Sequence, residues 1–390
     1  MILVSVIGNE VVHLSPLIFE FKSKITKHIL VYDDAYYEQR KVNRMRHAID
    51  YLNRTYGCNI EQFEAKIDED SKADIDTLAG ELFSYADSPR DIFLNPGDGP
   101  AHINIFLGAT VLQQGGQVVV YDPMDNTYNL IYKNNMRNIS IKNNMNAIDY
   151  CNMLGMEVIE FKGKKQIRYR KKEVIRLFRR YGGLKKVRRA LGDGDRKFDY
   201  SEYESILHDL TKIGVIDKER NVLDRNFLYG GMFEEYVYWM IRRLDFDDVL
   251  LNAVVAIDQV GDALVKNEFD LLMMKNNHPY IIECKHKHNL NGDNIIYKYE
   301  TVNDAFGPDA KVMIVNLSDK PKIKYKSRNI SSSFSRGNIN RAILNNIEVY
   351  HESRINEKKF LKKAMRFFQV GKRMKEAGTL SGSNPAEEEA

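Results

Sequence analysis

The sequence has few cysteines and no long apolar run, and both absences narrow the class of protein. Its three cysteines, Cys58, Cys151 and Cys284, are too few for a disulfide framework and form no zinc knuckle. No apolar run reaches the ~20 residues that a bilayer-spanning helix needs, and the opening MILVSVIGNE lacks the basic segment of a secretion signal. We therefore expect a cytoplasmic protein that does not contact membranes.

Basic residues are plentiful but unevenly spread. The net charge is only +4, yet residues 162–197 read KGKKQIRYRKKEVIRLFRRYGGLKKVRRALGDGDRK, with almost no acids. Such a block is typical of a surface that contacts phosphates. The alternative interpretation is a solvated linker or helix face, which charge runs often turn out to be.

Hydrophobic periodicity divides the chain into three regions and a tail. Residues 1–160 alternate short apolar strands with amphipathic helices, which predicts an open α/β sheet with parallel strands. Residues 161–225 predict a basic helical linker whose end resembles a winged helix, although a plain helical spacer is an alternative. Residues 226–375 combine an opening helix, several strands and a closing helix. The small, polar and acidic residues 376–390 predict disorder.

Two glycine-containing loops follow strands of the first region. They are Gly8-Asn9, after ILVSVI, and Asn95-Pro96-Gly97-Asp98-Gly99, after DIFL. Ligands of open α/β sheets bind at the carboxyl ends of the strands, and a helix that begins after a glycine turn offers backbone N–H groups to an anion. The loops therefore predict a phosphate-binding site, with a simple strand-to-helix turn as the alternative.

Acidic residues in the third region lie on two strands that a turn connects. The strands are EFDLLMMK and YIIECKH, and the cluster Asn276-Asn277-His278-Pro279 between them predicts a hairpin. One strand supplies Asp270, and the other supplies Glu283 and Lys285 on one face, because side chains alternate along a strand. Cys284 then points into the core.

This constellation fits metal-dependent phosphodiester hydrolysis. Carboxylates are the ligands of hard divalent cations, and such a cation activates water and polarises the phosphoryl oxygen. A lysine can position the water and stabilise the developing charge. The helix that follows Gly230-Gly231 adds Glu234 or Glu235 as a further ligand. The spacing matches the PD-(D/E)xK nuclease pattern, whereas a surface ion pair would explain only Glu283 and Lys285.

Other polar residues near these strands are less specific candidates for metal or substrate binding. His286 and His288 could line the metal site, but histidines at an exposed strand end are commonly solvated. Tyr297 and Tyr299 could stack on bases, with burial in the sheet as the alternative.

Taken together, GGMFEEYVYWMI, NEFDLLMM and YIIECKHKH resemble the nuclease half of CRISPR-associated ancillary nucleases of the Card/Can type. These join an N-terminal CARF domain of Rossmann-like fold to a PD-(D/E)xK nuclease domain of restriction-endonuclease-like fold, and the resemblance covers nearly the whole chain. It implies that Glu234 or Glu235, together with Asp270 and Glu283, holds Mg²⁺ or Mn²⁺. It further implies that Lys285 is the catalytic lysine. Glu268 would lie next to the metal ligands without binding the metal itself.

For the N-terminal region the resemblance implies a homodimer that binds cyclic oligoadenylate, with cyclic tetra-adenylate as the expected ring size. The family loop reads N-x-T-G-G-T-K, and here Asn95 and one glycine remain while both threonines and the lysine are absent. His102 lies one position beyond the missing lysine. The predicted nucleotide-binding residues are Gly8, Asn9, Asn95, Gly97, Asp98, Gly99 and His102.

The resemblance thus implies a nucleotide-activated, metal-dependent endonuclease that cuts single-stranded DNA or RNA, or nicks duplex DNA, in type III CRISPR antiviral defence. One alternative is a restriction- or resolvase-like nuclease for duplex DNA that no nucleotide gates. The other is a nucleic-acid-binding sensor whose nuclease fold has lost its activity.

Overall fold

A computed structural model describes most of the chain. The residues described are 1–8, 11–33, 36–67, 72–181, 191, 199–260, 263–286, 292–317 and 336–373. Asn9, His288, much of the basic block and the 376–390 tail therefore lie outside the described residues. Within the described parts, no helix is both long enough and apolar enough to cross a bilayer.

The N-terminal region forms a seven-stranded sheet flanked by helices. Its strand order is β3-β2-β1-β4-β5-β6-β7, in which the first five strands run parallel and the last two are antiparallel. The strands are β1 (Ile2–Val6), β2 (Lys27–Asp33), β3 (Glu61–Ile67), β4 (Ile92–Asn95), β5 (Gln117–Asp122), β6 (Thr127–Tyr132) and β7 (Asn135–Ser140), and the helices are α1 (Ser15–Phe21), α2 (Tyr36–Tyr56), α3 (Lys72–Leu82) and α4 (Ala101–Gln113).

The order of these strands places the two glycine loops side by side. The chain moves outward from β1 to β2 and β3, then returns to the other side of β1 with β4. A reversal of this kind leaves a crevice at the carboxyl ends of β1 and β4. The loops that follow these two strands, at Gly8 and at Gly97, both lie there.

A helical segment leads from the first sheet to the second. It contains α5 (Ala147–Met153), β8 (Glu157–Lys162), α6 (Lys164–Ile167), α7 (Lys171–Tyr181) and α8 (Glu204–Lys212). After α8, Ile216 and Val222 form an antiparallel bridge, so a helix is followed by a small two-stranded wing. This arrangement agrees with the winged-helix-like end predicted from the sequence.

The C-terminal region forms a six-stranded sheet of order β13-β12-β11-β10-β9-β8. Strands β8 to β11 are antiparallel, and β11, β12 and β13 are parallel. Strand β8 belongs entirely to this sheet, although the predicted domain boundary at residue 160 falls inside it. The remaining elements are α9 (Met232–Ile241), β9 (Asp248–Val260), β10 (Ala263–Lys275), β11 (His278–Lys285), α10 (Gly292–Phe306), β12 (Lys311–Leu317), α11 (Arg336–Leu344), β13 (Ile347–Glu352) and α12 (Glu357–Phe368).

The two sheets share one hydrophobic core. Buried residues of the first sheet, such as Leu3 and Val119, belong to the same cluster as Phe269 and Ile281 of the second. Helix α5 contributes most of its residues to this cluster and donates the Tyr150 hydroxyl to the Phe306 carbonyl at 2.6 Å. A continuous core of this kind resists relative movement of the two halves.

The tip of the β10–β11 hairpin is fixed to the N-terminal region by amide hydrogen bonds. Asn277 is 4% exposed and has a φ of 63°. Its Nδ2 donates to Asn126 Oδ1 at 2.9 Å, and its Oδ1 accepts from the Met145 N–H at 2.8 Å. Beside it, His278 Nε2 lies 2.8 Å from the Pro123 carbonyl oxygen. The hairpin that carries the acidic residues is thereby attached to the first sheet.

Replacing Asn277 therefore tests this attachment. We expect Asn277→Gly to keep the left-handed backbone and to lower the free energy of unfolding by about 1–3 kcal/mol, because buried polar groups lose their partners. Its matched control is Asn276→Gly, at an exposed position of similar φ (53°), which should change stability by less than about 0.5 kcal/mol. Chemical denaturation of both variants measures the difference. Equal midpoints would show that the amide contacts contribute nothing.

Candidate active site

Asp270 and Glu283 meet at one ammonium group. The Lys285 Nζ lies 3.8 Å from Asp270 Oδ2 and forms an ion pair with Glu283 Oε1. Both carboxylates are more than nine-tenths buried, whereas Lys285 is partly exposed. Because a single positive charge contacts both acids, the structure brings together the three residues on which the predicted motif depends.

Asp270 is held by the backbone of the neighbouring strand. Its Oδ2 accepts a hydrogen bond from the Cys284 N–H at 2.6 Å. Burial raises the pKa of Asp270 well above its usual range, and the nearby charges of Glu283 and Glu234 raise it further. Lys285 and the Cys284 N–H offset part of this rise. The carboxylates thus repel one another in a buried setting, and a positive charge among them would relieve that repulsion.

Two residues of α10 contact the second oxygen of Glu283. The buried Tyr299 hydroxyl donates to Glu283 Oε2, and the Lys298 Nζ lies 3.6 Å from the same atom. Burial raises the pKa of Tyr299, and the Glu283 charge raises it further. The phenol therefore stays protonated and fixes the orientation of the carboxylate. Tyr299 lies on a helix, not in the sheet where the sequence placed it.

Glu234 approaches the cluster from α9. The helix follows a π-helical turn at Phe227–Gly231, and a Cβ on Gly230 would lie 2.8 Å from Glu234 Oε1. Glycine at this position therefore leaves room for the carboxylate. Asn252 has a φ of 51°, and its Nδ2 donates to Glu234 Oε2 at 2.6 Å. Burial raises the pKa of Glu234, while this hydrogen bond and the Lys285 charge lower it.

Glu235 points elsewhere and forms a buried ion pair. Its carboxylate accepts from the Arg170 guanidinium, and the two residues are 1% and 7% exposed. Asp224 lies 3.8 Å from the same guanidinium. Burial raises the pKa of Glu235, and Arg170 offsets part of the rise. Of the two glutamates that the sequence left open, Glu234 is the one whose charge acts on Asp270.

The remaining predicted residues, Glu268 and His286, lie at the edge of the acidic cluster. Glu268 is exposed, although its charge still raises the pKa of Glu234. His286 follows Lys285 directly and packs edge-on against Phe233, with ring centroids 6.3 Å apart. Neither residue makes a described contact with Asp270 or Glu283.

The chemistry of this cluster fits a hard divalent cation. Three carboxylates supply oxygen ligands, and two of them already share the positive charge of Lys285, which marks a place where a cation is stabilised. Among the residues that the structure describes, no three acidic, histidine or cysteine side chains form a ready-made chelating group. The carboxylate oxygens are of the type that Mg²⁺ and Mn²⁺ bind. In this structure the Lys285 ammonium lies between the carboxylates of Asp270 and Glu283.

Sequence reasoning missed the residues that position the acids. Asn252 was visible as one polar residue within the apolar run VLLNAVVAI. Tyr299 was noted only as a possible base-stacking residue or as a buried residue of the sheet, and Arg170 only as part of the basic block. A pattern in the sequence shows which groups can react, but it does not show which hydrogen bonds fix them.

The predicted nucleotide-binding loops are also brought together. A Cβ on Gly8 would lie 2.1 Å from the Asp98 carbonyl oxygen, so the two loops touch. Gly97 has a φ of 52°, and a Cβ on Gly99 would lie 2.6 Å from Val6 Cγ1. Close packing alone therefore explains these glycines, which is also what a plain turn would require.

Other features of the same crevice point to a ligand. Asn95 is 1% exposed, and its Oδ1 has no hydrogen-bond partner among the described residues. Helix α4 begins after Pro100 without a side-chain cap, so its first N–H groups are open to an anion. His102 is exposed in its first turn. From α2, Lys41 Nζ donates to the Gly8 carbonyl at 2.6 Å, which places a cation beside the loop.

The segment that carries the acidic cluster matches a known family model. Residues 220–333, which include Glu234, Asp270, Glu283 and Lys285, match the family "Card1-like, endonuclease domain". This part of the chain is similar to a Card1-like endonuclease domain. The nuclease predicted from the sequence is thereby confirmed. Among curated proteins, none matches this sequence.

Solved structures confirm the fold over nearly the whole chain. Protein VC1899 from Vibrio cholerae is 20% identical, with a TM-score of 0.70 over 95% of this chain and 99% of that one. Can2 from Sulfobacillus thermosulfidooxidans, solved in complex with cyclic tetra-adenylate, is 16% identical, with a TM-score of 0.65 over 94% of this chain and 96% of its own. The predicted fold class, a Rossmann-like α/β domain followed by a helical linker and a second α/β domain that carries the nuclease residues, is confirmed.

The difference between the two glutamates leads to a stability prediction. Glu235→Gln leaves the Arg170 guanidinium buried without its main counter-charge, so we expect unfolding to become easier by about 3 kcal/mol. Glu234→Gln, one residue earlier, removes a carboxylate that burial disfavours and should cost nothing. Thermal and denaturant unfolding compare the two variants. A Glu235→Gln protein as stable as Glu234→Gln would contradict the assigned ion pair.

Proposed function

We propose that this endonuclease domain hydrolyses phosphodiester bonds of nucleic acids with Mg²⁺ or Mn²⁺. The observation that carries the proposal is the convergence of Asp270 and Glu283 on the Lys285 ammonium. Asp270, Glu283 and Glu234 would hold the cation. When bound, it would supply an activated water and polarise the phosphoryl oxygen.

Each protein group has a separate task in this scheme. Lys285 would donate to the phosphate and stabilise the charge that develops there. The Cys284 N–H and the Tyr299 hydroxyl fix the carboxylates of Asp270 and Glu283, so the ligands would not need to reorganise during the reaction. Asn252 does the same for Glu234.

We propose single-stranded DNA or RNA as the substrate, with nicking of duplex DNA as a further activity. The alternative is a nuclease for duplex DNA that works without a nucleotide. A protein that only binds nucleic acid is disfavoured, because the acidic cluster and its positioning residues are all present.

The N-terminal region is proposed to sense a cyclic oligoadenylate, with cyclic tetra-adenylate as the expected form. Its fold resembles that of Can2, which was solved with this nucleotide. The crevice between β1 and β4, the uncapped start of α4 and the unpartnered Oδ1 of Asn95 support an anionic ligand there. Lys41 and His102 would supply the positive charge that the missing loop lysine supplies in the family. A nucleotide-gated nuclease of this kind fits type III CRISPR antiviral defence.

A second copy of the chain is proposed to cover α4. This helix is apolar around much of its circumference, and Ile105 on its outer face is 72% exposed. A surface helix of that composition usually packs against another apolar surface. Two copies facing each other across α4 would place their nucleotide crevices next to each other.

Cleavage assays test the nuclease centre and its gating together. We expect labelled single-stranded DNA and RNA to be cut with Mn²⁺ or Mg²⁺, and faster when cyclic oligoadenylates are added. Glu283→Gln and Lys285→Ala should lose at least about 100-fold in rate, because each removes a group that acts on the reacting phosphate. The control is Glu219→Gln, at an exposed glutamate of the linker wing.

Cleavage by Glu283→Gln at the rate of the control would refute the assigned centre. Cleavage that no nucleotide changes would refute the gating and favour the alternative of an ungated nuclease.

Nucleotide binding is tested separately through Lys41. We expect Lys41→Gln to bind cyclic tetra-adenylate about tenfold more weakly, because a charge-assisted contact to a phosphate is lost. Arg54→Gln, near the other end of α2, is the matched control and should bind normally. Calorimetry gives both affinities. A wild-type protein that binds none of a panel of cyclic oligoadenylates would reject the sensor function.

A further inference from the structure

The exposed face of α7 is strongly basic. Lys171, Lys172, Arg176, Arg179 and Arg180 are all exposed, and with Ile175 they line a shallow depression of about 570 Å³. Lys172, Arg176 and Arg180, four residues apart, form one row along the helix, and Lys171 and Arg179, eight residues apart, lie in the adjacent row. This set of five cations is called the α7 ridge below. From Lys171 to Arg180 the ridge extends about 13 Å along the helix axis, at a rise of about 1.5 Å per residue.

Nearby acids offset only part of the charge of the ridge. The one acid of α7, Glu173, is buried and forms an ion pair with Lys212 at 2.7 Å. Asp209 accepts from Arg176, and Glu357 accepts from Arg179. Both arginine side chains remain more than half exposed in these ion pairs, at 55% and 57%. The carboxylates therefore orient the guanidinium groups without covering them.

The opposite face of α7 packs directly on the helix that carries Glu234. The Phe178 ring stacks on Phe233, with ring centroids 5.4 Å apart, and on Tyr236 at 4.2 Å. At the start of α7, the Lys171 ammonium lies 4.7 Å from the centroid of the Trp239 ring. Helices packed in this way have axes about 8–10 Å apart. The ridge is thus one helix away from the acidic cluster.

Contacts at the strand end bring the same helices close to the catalytic lysine. Phe233, which stacks on Phe178, also contacts the ring of His286, and His286 directly follows Lys285. A polymeric substrate whose scissile phosphate lies at Lys285 would need to extend only a short distance past α9 to reach the ridge.

We propose that the α7 ridge binds the phosphate backbone of the nucleic-acid substrate beside the scissile bond, without reading its sequence. The inference rests on the proposed nuclease function and adds a second contact site for the same substrate. A row of exposed, oriented cations complements a polyanion and offers no groups that would select a base. The ridge would then raise the affinity for long substrates and leave the chemical step unchanged.

The test is a double substitution that removes charge and keeps the aliphatic stems, Lys171→Gln with Lys172→Gln. Neither lysine forms a described ion pair with a buried acid, and the described contact that is lost is that of the Lys171 ammonium with the Trp239 ring. The fold should therefore be retained with at most a small loss of stability. On long single strands we expect KM to rise about tenfold with kcat unchanged, because the contact is the same in ground and transition states. On a very short oligonucleotide confined to the active site, KM should not change.

A matched control removes the same charge elsewhere. Lys24→Gln with Lys142→Gln lowers the net charge equally at exposed positions of the N-terminal region and should behave as wild type. Direct binding is measured by fluorescence anisotropy with Glu283→Gln added to each protein, so that no substrate is consumed. The slope of log affinity against log salt should fall by about 1.4 for the ridge variant, since two cations are lost.

The outcomes separate this proposal from the proposed function. If the wild type cuts nucleic acid but the ridge variant matches the control at every substrate length, the ridge does not bind substrate. If no cleavage is found under any condition, the nuclease proposal fails, while the anisotropy and salt slopes still decide whether the ridge binds nucleic acid. A loss of kcat on the short substrate would show that the substitution disturbs the active site and would also overturn the proposal.

Discussion

The structure of the catalytic half depends on one costly arrangement, the burial of acidic groups that repel one another. Asp270 and Glu283 are both more than nine-tenths buried, and Glu234 adds a third charge nearby. Burial of carboxylates destabilises a fold unless charges or hydrogen bonds compensate. Lys285 compensates Asp270 and Glu283, and the Cys284 N–H and the Tyr299 hydroxyl hold these two carboxylates in place. Asn252 donates a hydrogen bond to the third, Glu234. Because such a cluster does not stabilise the protein, its presence indicates a chemical role.

The elements around the acids explain how the chain tolerates this arrangement. Strands β9 to β12 place apolar side chains on both faces, so the site is a small polar interruption in a large core. The hairpin of β10 and β11 is closed by a two-residue turn in which Asn276 and Asn277 both have positive φ, as the right-handed twist of hairpins favours. Asn277 then ties the tip of that hairpin to the N-terminal region. The N-terminal region and the nuclease half thus meet at the strand pair that carries the acids.

Much of this could be read from the sequence, because the strongest signals were local. The IIECK run after a turn cluster predicted the hairpin and its acids, and apolar periodicity predicted α4 and the first strands. Strands β7 and β13 were missed, since NMRNIS and IEVYHE are too polar to show a clear pattern. The sequence also could not show which of Glu234 and Glu235 belongs to the acidic cluster. That choice depends on the partner Arg170, which is distant in sequence and whose contact only the folded chain creates.

The central claim is that the acidic cluster binds a divalent cation, and direct measurement of metal binding tests it without any assumption about substrate or activator. Calorimetry or electron paramagnetic resonance of Mn²⁺ added to the full chain would compare the wild type with Asp270→Asn. The account predicts that the wild type binds Mn²⁺ and that the variant, which has lost a charged ligand, binds it far more weakly. Equal Mn²⁺ affinity in the two proteins would contradict the account.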